Sequence, residues 1–165
     1  MKKASIWIVA VLMLAIGWSV RATASGDGGS SGEAILEFKS MFGVVPPYTG
    51  PTNPIRNVPG GGAPWQIDRG AGKLLSDNTV EVEVRGLVLV STKANPSPAF
   101  RALVSCQSID GLGAPSIVNV STVDFPATTT GDAKIEERLD LPTPCIAPII
   151  FVTNPAGRWF AVMGR

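Results

Sequence analysis

The sequence has 165 residues, with 14 basic and 13 acidic side chains and no histidine. The absence of histidine removes the commonest general base and excludes Ser–His–Asp and Cys–His catalysis. The small net charge provides no basic surface of the kind that binds nucleic acid. At this length the chain can bury the core of one ordinary domain.

The first 24 residues are predicted to be a cleavable signal peptide. Lys2 and Lys3 precede the apolar run Ile6–Val20, and the small-residue motif ATA follows at 22–24, which is the three-part pattern of a secretory signal. A retained anchor is the alternative, but a helix of this length spans only about 22 Å, against a bilayer core of about 30 Å. We therefore expect a signal helix, cleavage after Ala24, and a secreted or extracytoplasmic protein of bacterial type without a membrane segment.

Removal of this segment changes the charge balance. The remaining 141 residues carry 11 basic and 13 acidic side chains, because Lys2, Lys3 and Arg21 leave with the signal. A net charge of −2 again argues against nucleic acid as a partner. The Gly/Ser/Asp-rich segment 25–33 is predicted to be a flexible linker, and residues 34–165 are predicted to form one domain.

The N-terminal part of that domain, residues 34–64, has two sections. Residues 34–45 are apolar with an ambiguous period, which leaves a strand and a short helix open; we favour a strand because Pro46 and Pro47 end it in an extended conformation. Residues 46–64 contain six prolines and four glycines. These residues disfavour regular structure and predict a long loop.

The main part of the domain, residues 65–165, shows strands separated by turns. The segment TVEVEV at 79–84 alternates apolar and polar side chains, which predicts a strand with one buried and one solvated face. Gly86 marks a bend or a bulge after it. Trp159 and Phe160 are neighbours on the last predicted strand, so one of them must point outward or towards a covering segment.

The spacing of these strands indicates the fold class. Turns every ~8–12 residues are typical of a β-sandwich, with a barrel as the alternative. We expect an all-β fold, a single antiparallel β-sandwich of immunoglobulin-like architecture with about seven to eight strands. Seven of these strands follow residue 64, at 65–75, 79–90, 99–109, 116–123, 133–141, 146–153 and 158–163.

Cys106 and Cys145 are the only cysteines. In an exported chain an even count predicts a disulfide, and a bridge closing this loop would stabilise the fold by about 4 kcal/mol in the chain-entropy model. The alternatives are a reactive thiol and half of a metal site, but the chain has no histidine to activate a thiol. A true immunoglobulin domain is less expected, because no tryptophan lies between the two cysteines.

The candidate binding residues lie in the segment NPIRNVPGGGAPW, residues 53–65. As a binding loop, this segment would use Arg56 and Asn57 as polar contacts and Trp65 as a platform. The alternative, which we favour, is a crossover that packs Trp65 into the core. Its glycines are not followed by the lysine and hydroxyl residue of a phosphate-binding loop, so no nucleotide cofactor is predicted.

Catalysis by two carboxylates remains open in principle, since such a pair suffices for glycoside hydrolysis. Two of the candidate carboxylates lie on the polar face of one predicted strand, and the other three are interleaved with Lys134 and Arg138, which favours a solvated face instead. No catalytic residue, metal ligand or cofactor is therefore assigned. The carboxylates considered are Glu81, Glu83, Glu136, Glu137 and Asp140.

Three segments carry a family resemblance: 53–65, FRALVSCQS at 100–108, and PCIAPIIFVTNPAGRWFAV at 144–162. In these segments the chain resembles small exported bacterial β-rich proteins of uncharacterised function. The resemblance implies export and a β-rich domain, and it implies no activity. We therefore expect a non-catalytic binding or envelope-associated structural domain with an extracellular ligand or protein partner; the alternative is a carboxylate-dependent hydrolase acting on glycans.

Overall fold

The computed structural model describes residues 32–164. The predicted signal peptide lies outside these residues, as does most of the predicted linker. Within them the chain is all-β, as the sequence predicted. The strands are β1 (Ala34–Phe38), β2 (Met41–Gly43), β3 (Trp65–Gln66), β4 (Arg69–Leu75), β5 (Thr79–Arg85), β6 (Val88–Leu89), β7 (Ala99–Ile109), β8 (Pro115–Ser121), β9 (Phe125–Pro126), β10 (Ala133–Arg138), β11 (Ile146–Thr153) and β12 (Trp159–Met163).

These strands form three antiparallel sheets. One sheet has four strands in the order β1-β4-β5-β10. A second has the order β2-β12-β11-β7-β8, and β9 also pairs with β7 beyond the end of β8. Strands β3 and β6 form a short two-stranded ribbon.

Three of the predicted strands are interrupted, namely 34–45, 65–75, which divides into β3 and β4, and 79–90. Residues 34–45 divide between two sheets, because β1 pairs with β4 whereas β2 pairs with β12. The strand predicted at 79–90 ends at Arg85, where Gly86 adopts a φ of 64°. The backbone N–H of Gly86 there donates to Oδ1 of Asp132 at 3.0 Å. This is the bend that a glycine at this position predicted.

The principal core lies between the four-stranded and the larger sheet. The inward valines of β5 are at most 2% exposed, as their alternation predicted. They belong to one cluster with Phe100 and Val104 of β7. Trp65 closes this core by stacking on Phe160, with ring centroids 3.7 Å apart.

The outer face of the larger sheet is also buried over part of its area. Leu103, Ser105, Thr153 and Trp159 share this face, because the strand register places Leu103 opposite Phe151 and Thr153 opposite Trp159. All four are at most 5% exposed. Both faces of β7, β11 and β12 are therefore covered here, which explains how Trp159 and Phe160 can both be buried.

Residues 46–64, hereafter the cover loop, run alongside this face. The N–H of Trp159 donates to the carbonyl of Pro59, and the N–H of Gly61 donates to the carbonyl of Trp159. Gly60 makes an isolated parallel bridge to Trp159. The loop thus satisfies part of its backbone hydrogen bonding on β12, without forming a regular strand.

The predicted disulfide is confirmed. Cys106 and Cys145 are bonded, with their Cα atoms 4.9 Å apart. Cys106 is on the inner face of β7, and Cys145 immediately precedes β11, the neighbour of β7. The bridge therefore links adjacent strands of one sheet.

Candidate functional surfaces

Arg56 fastens the cover loop to the larger sheet. Its Nη1 donates to the carbonyl of Ser105 at 2.8 Å, and its own carbonyl accepts from Nδ2 of Asn119 at 2.9 Å. Ser105 and Asn119 face each other across β7 and β8. Partial burial lowers the pKa of the Arg56 guanidinium, which keeps its charge at any physiological pH. Its visible role is to hold the loop in place.

Asn57 and Trp65 lie in different environments. Asn57 is exposed at the tip of the cover loop, with a φ of 65°. Trp65 is 3% exposed and contacts Phe160 and Phe100. The structure therefore does not bring Arg56, Asn57 and Trp65 together on one open surface, and the Trp65 ring offers no free face to a ligand.

Two glycines of the cover loop allow its close approach to its surroundings. A Cβ on Gly60 would lie 1.9 Å from the carbonyl oxygen of Tyr48, and one on Gly61 would lie 2.9 Å from the Phe160 ring. Gly62 has no atom within 4 Å of such a Cβ. The first two glycines of the triplet are therefore needed for packing.

The outer face of the four-stranded sheet, hereafter the charged face, contains most of the candidate carboxylates. Glu81 pairs with Lys73 at 3.1 Å, and Glu83 pairs with Arg85 at 2.7 Å. Glu136 is directly opposite Glu81 in the strand register. Glu137 instead accepts the Val123 N–H through Oε2 at 2.7 Å, which connects β10 to the corner between β8 and β9.

A shallow depression of about 400 Å³ crosses the charged face. Its floor is low because Ala71, which lies on the outer face of β4 opposite Glu83, has a small side chain. Charges of both signs surround it: Glu37, Lys39, Arg69, Lys73, Glu81, Glu83 and Lys134. Interspersed charges of this kind are typical of a solvated surface.

Two aspartates stabilise turns by accepting hydrogen bonds. The N–H of Gly86 and the hydroxyl of Thr130 both donate to Asp132, and these bonds lower the pKa of its carboxyl group. The N–H groups of Ala114 and Leu112 lower the pKa of Asp110 in the same way. Each aspartate organises its own turn, and this accounts for both carboxylates without a ligand.

An exposed apolar surface, hereafter the hairpin patch, lies where the outer face of the larger sheet extends beyond the cover loop. Ile146, Gln107 and Ile117 form a row across β11, β7 and β8, and Ile109 and Pro115 form the next row. The three isoleucines are 36–55% exposed. They border a depression of about 450 Å³.

The sequence contains a signal for this patch, a long uncharged segment, which is not visible as a motif of particular residues. Residues 111–123 include no charged side chain. Charge is what usually marks a strand as solvent-exposed, so its absence from an edge strand indicates a surface with another use.

Two features are absent from residues 32–164. Within this range no helix has the length and apolar character needed to cross a bilayer. No group of three or more potential Cys, Asp or Glu metal ligands occurs in the same range. Comparison of the chain with protein-family models, curated proteins and solved structures finds no match.

Proposed function

We propose that this chain is an exported, non-catalytic domain of immunoglobulin-like β-sandwich architecture that binds a protein partner outside the cytoplasm. The observation that carries the proposal is the hairpin patch, an uncharged group of exposed aliphatic side chains around a depression. The signal peptide at residues 1–24 provides the export step, with cleavage after Ala24. The disulfide is consistent with an oxidising compartment.

Exposed aliphatic side chains in a contiguous group support the binding role. Single exposed hydrophobic residues need no explanation, whereas a group of them around a depression is typical of an interaction site. Ile109, Ile117 and Ile146 form such a group. Gln107, in the middle of their row, offers an amide that can donate and accept hydrogen bonds.

The structural use of the carboxylates supports the absence of catalysis. Glu81 and Glu83 are engaged with cations, Glu137 binds a backbone N–H, and Asp110 and Asp132 organise turns. A retaining or inverting glycosidase instead needs one carboxyl group whose pKa is raised so that it remains protonated. For the two aspartates, the pKa moves in the opposite direction.

Site-specific photocrosslinking in the producing cell tests the binding role. A benzophenone amino acid at Ile117 should yield a covalent protein adduct in the extracytoplasmic fraction. The same group at Lys134, on the charged face, should yield none. A folded, exported and disulfide-bonded variant that gives no adduct from position 117 would overturn the proposal.

The hydrolase alternative rests on one observation, the placement of Glu136 directly opposite Glu81. Opposed residues on paired strands have Cβ atoms ~5 Å apart, within reach of the carboxylate separations that glycosidases use. We expect no release of reducing sugar from a panel of polysaccharides by the purified protein. Release that disappears in Glu81→Gln and in Glu136→Gln would replace the binding proposal with the hydrolase.

A further inference from the structure

The free edge of β8 presents unpaired backbone groups. Among residues 32–164, β8 pairs with β7 on one side and with no strand on the other. The N–H of Thr122 donates to Ala102, and the N–H of Asp110 donates to Ala114 at the hairpin end. Because antiparallel bonding alternates along a strand, Ile117, Asn119 and Ser121 direct their N–H and C=O groups towards the free edge.

The other long edge strands of the described sheets carry charged side chains. Strand β10 carries Lys134, Glu136 and Arg138, and β1 carries Glu37. The edge strand β2 has only three residues. Charged side chains and short length are the usual protections against edge-to-edge pairing. Strand β8 has seven residues, is uncharged, and has Pro115 only at its start.

We propose that β8 pairs antiparallel with β8 of a second copy of this chain, joining the two larger sheets across a two-fold axis. The proposal rests on the proposed binding function and places a partner at the edge that borders the hairpin patch, which the two surfaces share at Ile117. A register centred on Asn119 places Ile117 opposite Ser121 of the copy and Val118 opposite its Val120. The outward backbone groups of each β8 then pair with those of the other, as in strand addition.

Charge favours a second copy as the occupant. A two-fold axis places a strand next to the same strand of the other copy. A charged side chain near the axis therefore faces a side chain of the same charge. On β10 this would oppose Glu136 to Glu136 and Lys134 to Arg138, which is unfavourable. On β8 the facing side chains are neutral, and the half-buried Val118 and Val120 would gain cover.

Complementary charge variants test the pairing. One variant carries Ile117→Lys with Ser121→Lys, and the other carries Ile117→Glu with Ser121→Glu. Sedimentation equilibrium of the mature wild-type protein should show a dimer forming at micromolar concentration, since a single strand edge is a small interface. Each variant alone should associate at least about tenfold more weakly, and an equimolar mixture should recover association that weakens with added salt.

Leu112→Lys is the matched control. Leu112 is 95% exposed in the turn between β7 and β8, so this variant adds a charge to the same hairpin without touching the edge. It should dimerise like the wild type. The far-ultraviolet circular dichroism and the thermal midpoint of every variant show that the domain is folded.

The outcomes separate this proposal from the broader binding function. A wild-type protein that remains monomeric at several hundred micromolar, or a mixture that stays monomeric while the wild type dimerises, overturns self-pairing. If photocrosslinking from position 117 then gives an adduct with a different protein, the binding function stands and the self-association proposal is rejected. If it gives no adduct, both are rejected.

Discussion

The outer faces of the two main sheets are protected in different ways. On the four-stranded sheet, pairs such as Lys73 with Glu81 remain in contact with solvent. On the larger sheet one part of the outer face, including Trp159, is buried where the cover loop bonds to β12, and the hairpin patch is exposed. The comparison shows that an irregular segment can substitute for a third layer where its backbone finds partners on a strand, here β12.

We expect the largest effect on the free energy of unfolding from a substitution that distorts the cover loop. Gly60→Ala places a Cβ against the carbonyl of Tyr48 in the same loop, so the two ends of the loop must move apart and its hydrogen bonds to β12 are disturbed. We expect a loss of about 3 kcal/mol in the free energy of unfolding, measured by chemical denaturation. Gly62→Ala has open space and should change that free energy by less than about 0.5 kcal/mol. Equal effects of the two substitutions would contradict the account.

Two buried threonines of the larger sheet differ in whether their hydroxyl groups are hydrogen-bonded. The Thr122 hydroxyl accepts from the Ala102 N–H and donates to the Val123 carbonyl, so Thr122→Val should cost about 2 kcal/mol. The Thr153 hydroxyl is buried without a partner, so Thr153→Val should stabilise the fold by about 1 kcal/mol. A destabilising Thr153→Val would show that its hydroxyl is hydrogen-bonded beneath the cover.

The third prediction concerns the bend between β5 and β6. The depressed pKa of Asp132 means that its contribution is complete above about pH 4, the ordinary range of an aspartate in the unfolded chain. This contribution disappears as the pH falls through the lower folded-state value. Asp132→Asn should lower the free energy of unfolding by about 1 kcal/mol at neutral pH, because solvent screening keeps the contribution of an exposed carboxylate small.

Thermal melts of wild type and Asp132→Asn between pH 7 and pH 2 measure this effect. The difference in midpoint should narrow in acid, because the wild-type carboxylate becomes protonated. A difference that is constant with pH would assign the effect to geometry instead of charge.

The smallest effect belongs to the charged face. Lys73 and Glu81 are a partly exposed cross-strand pair, and such pairs contribute at most about 1 kcal/mol. A double-mutant cycle of Lys73→Met and Glu81→Gln should give a coupling near 0.5 kcal/mol that falls with salt. A coupling of several kcal/mol would mean that this face is more than a solvated surface.

Local patterns predicted those parts of the fold that depend on neighbouring residues. The alternation at 79–84 identified β5, Gly86 identified the bend, and the even cysteine count identified the disulfide. The division of residues 34–45 was not predictable, because it depends on β1 joining β4 and β2 joining β12. Both segments are apolar, and neither contains a local signal for the sheet it joins.

The candidate surfaces were less predictable, for a physical reason. Trp65 and Trp159 are aromatic residues beside glycine-rich or polar segments, and their sequence neighbours do not reveal what covers them. The segment that hydrogen-bonds to the backbone of Trp159 lies about 100 residues earlier in the chain. The hairpin patch likewise exists because the cover loop ends before it, a fact of tertiary packing.

The disulfide lies behind the hairpin patch. Cys106 and Cys145 are the immediate chain neighbours of Gln107 and Ile146, which stand side by side in the patch. The strand β11 begins irregularly here, with a register shift between Ile146 and Ile149, and the covalent link holds this start against β7. Under the proposed binding function, a partner would meet a surface that is already ordered in the folded domain, so less conformational entropy would be lost on binding.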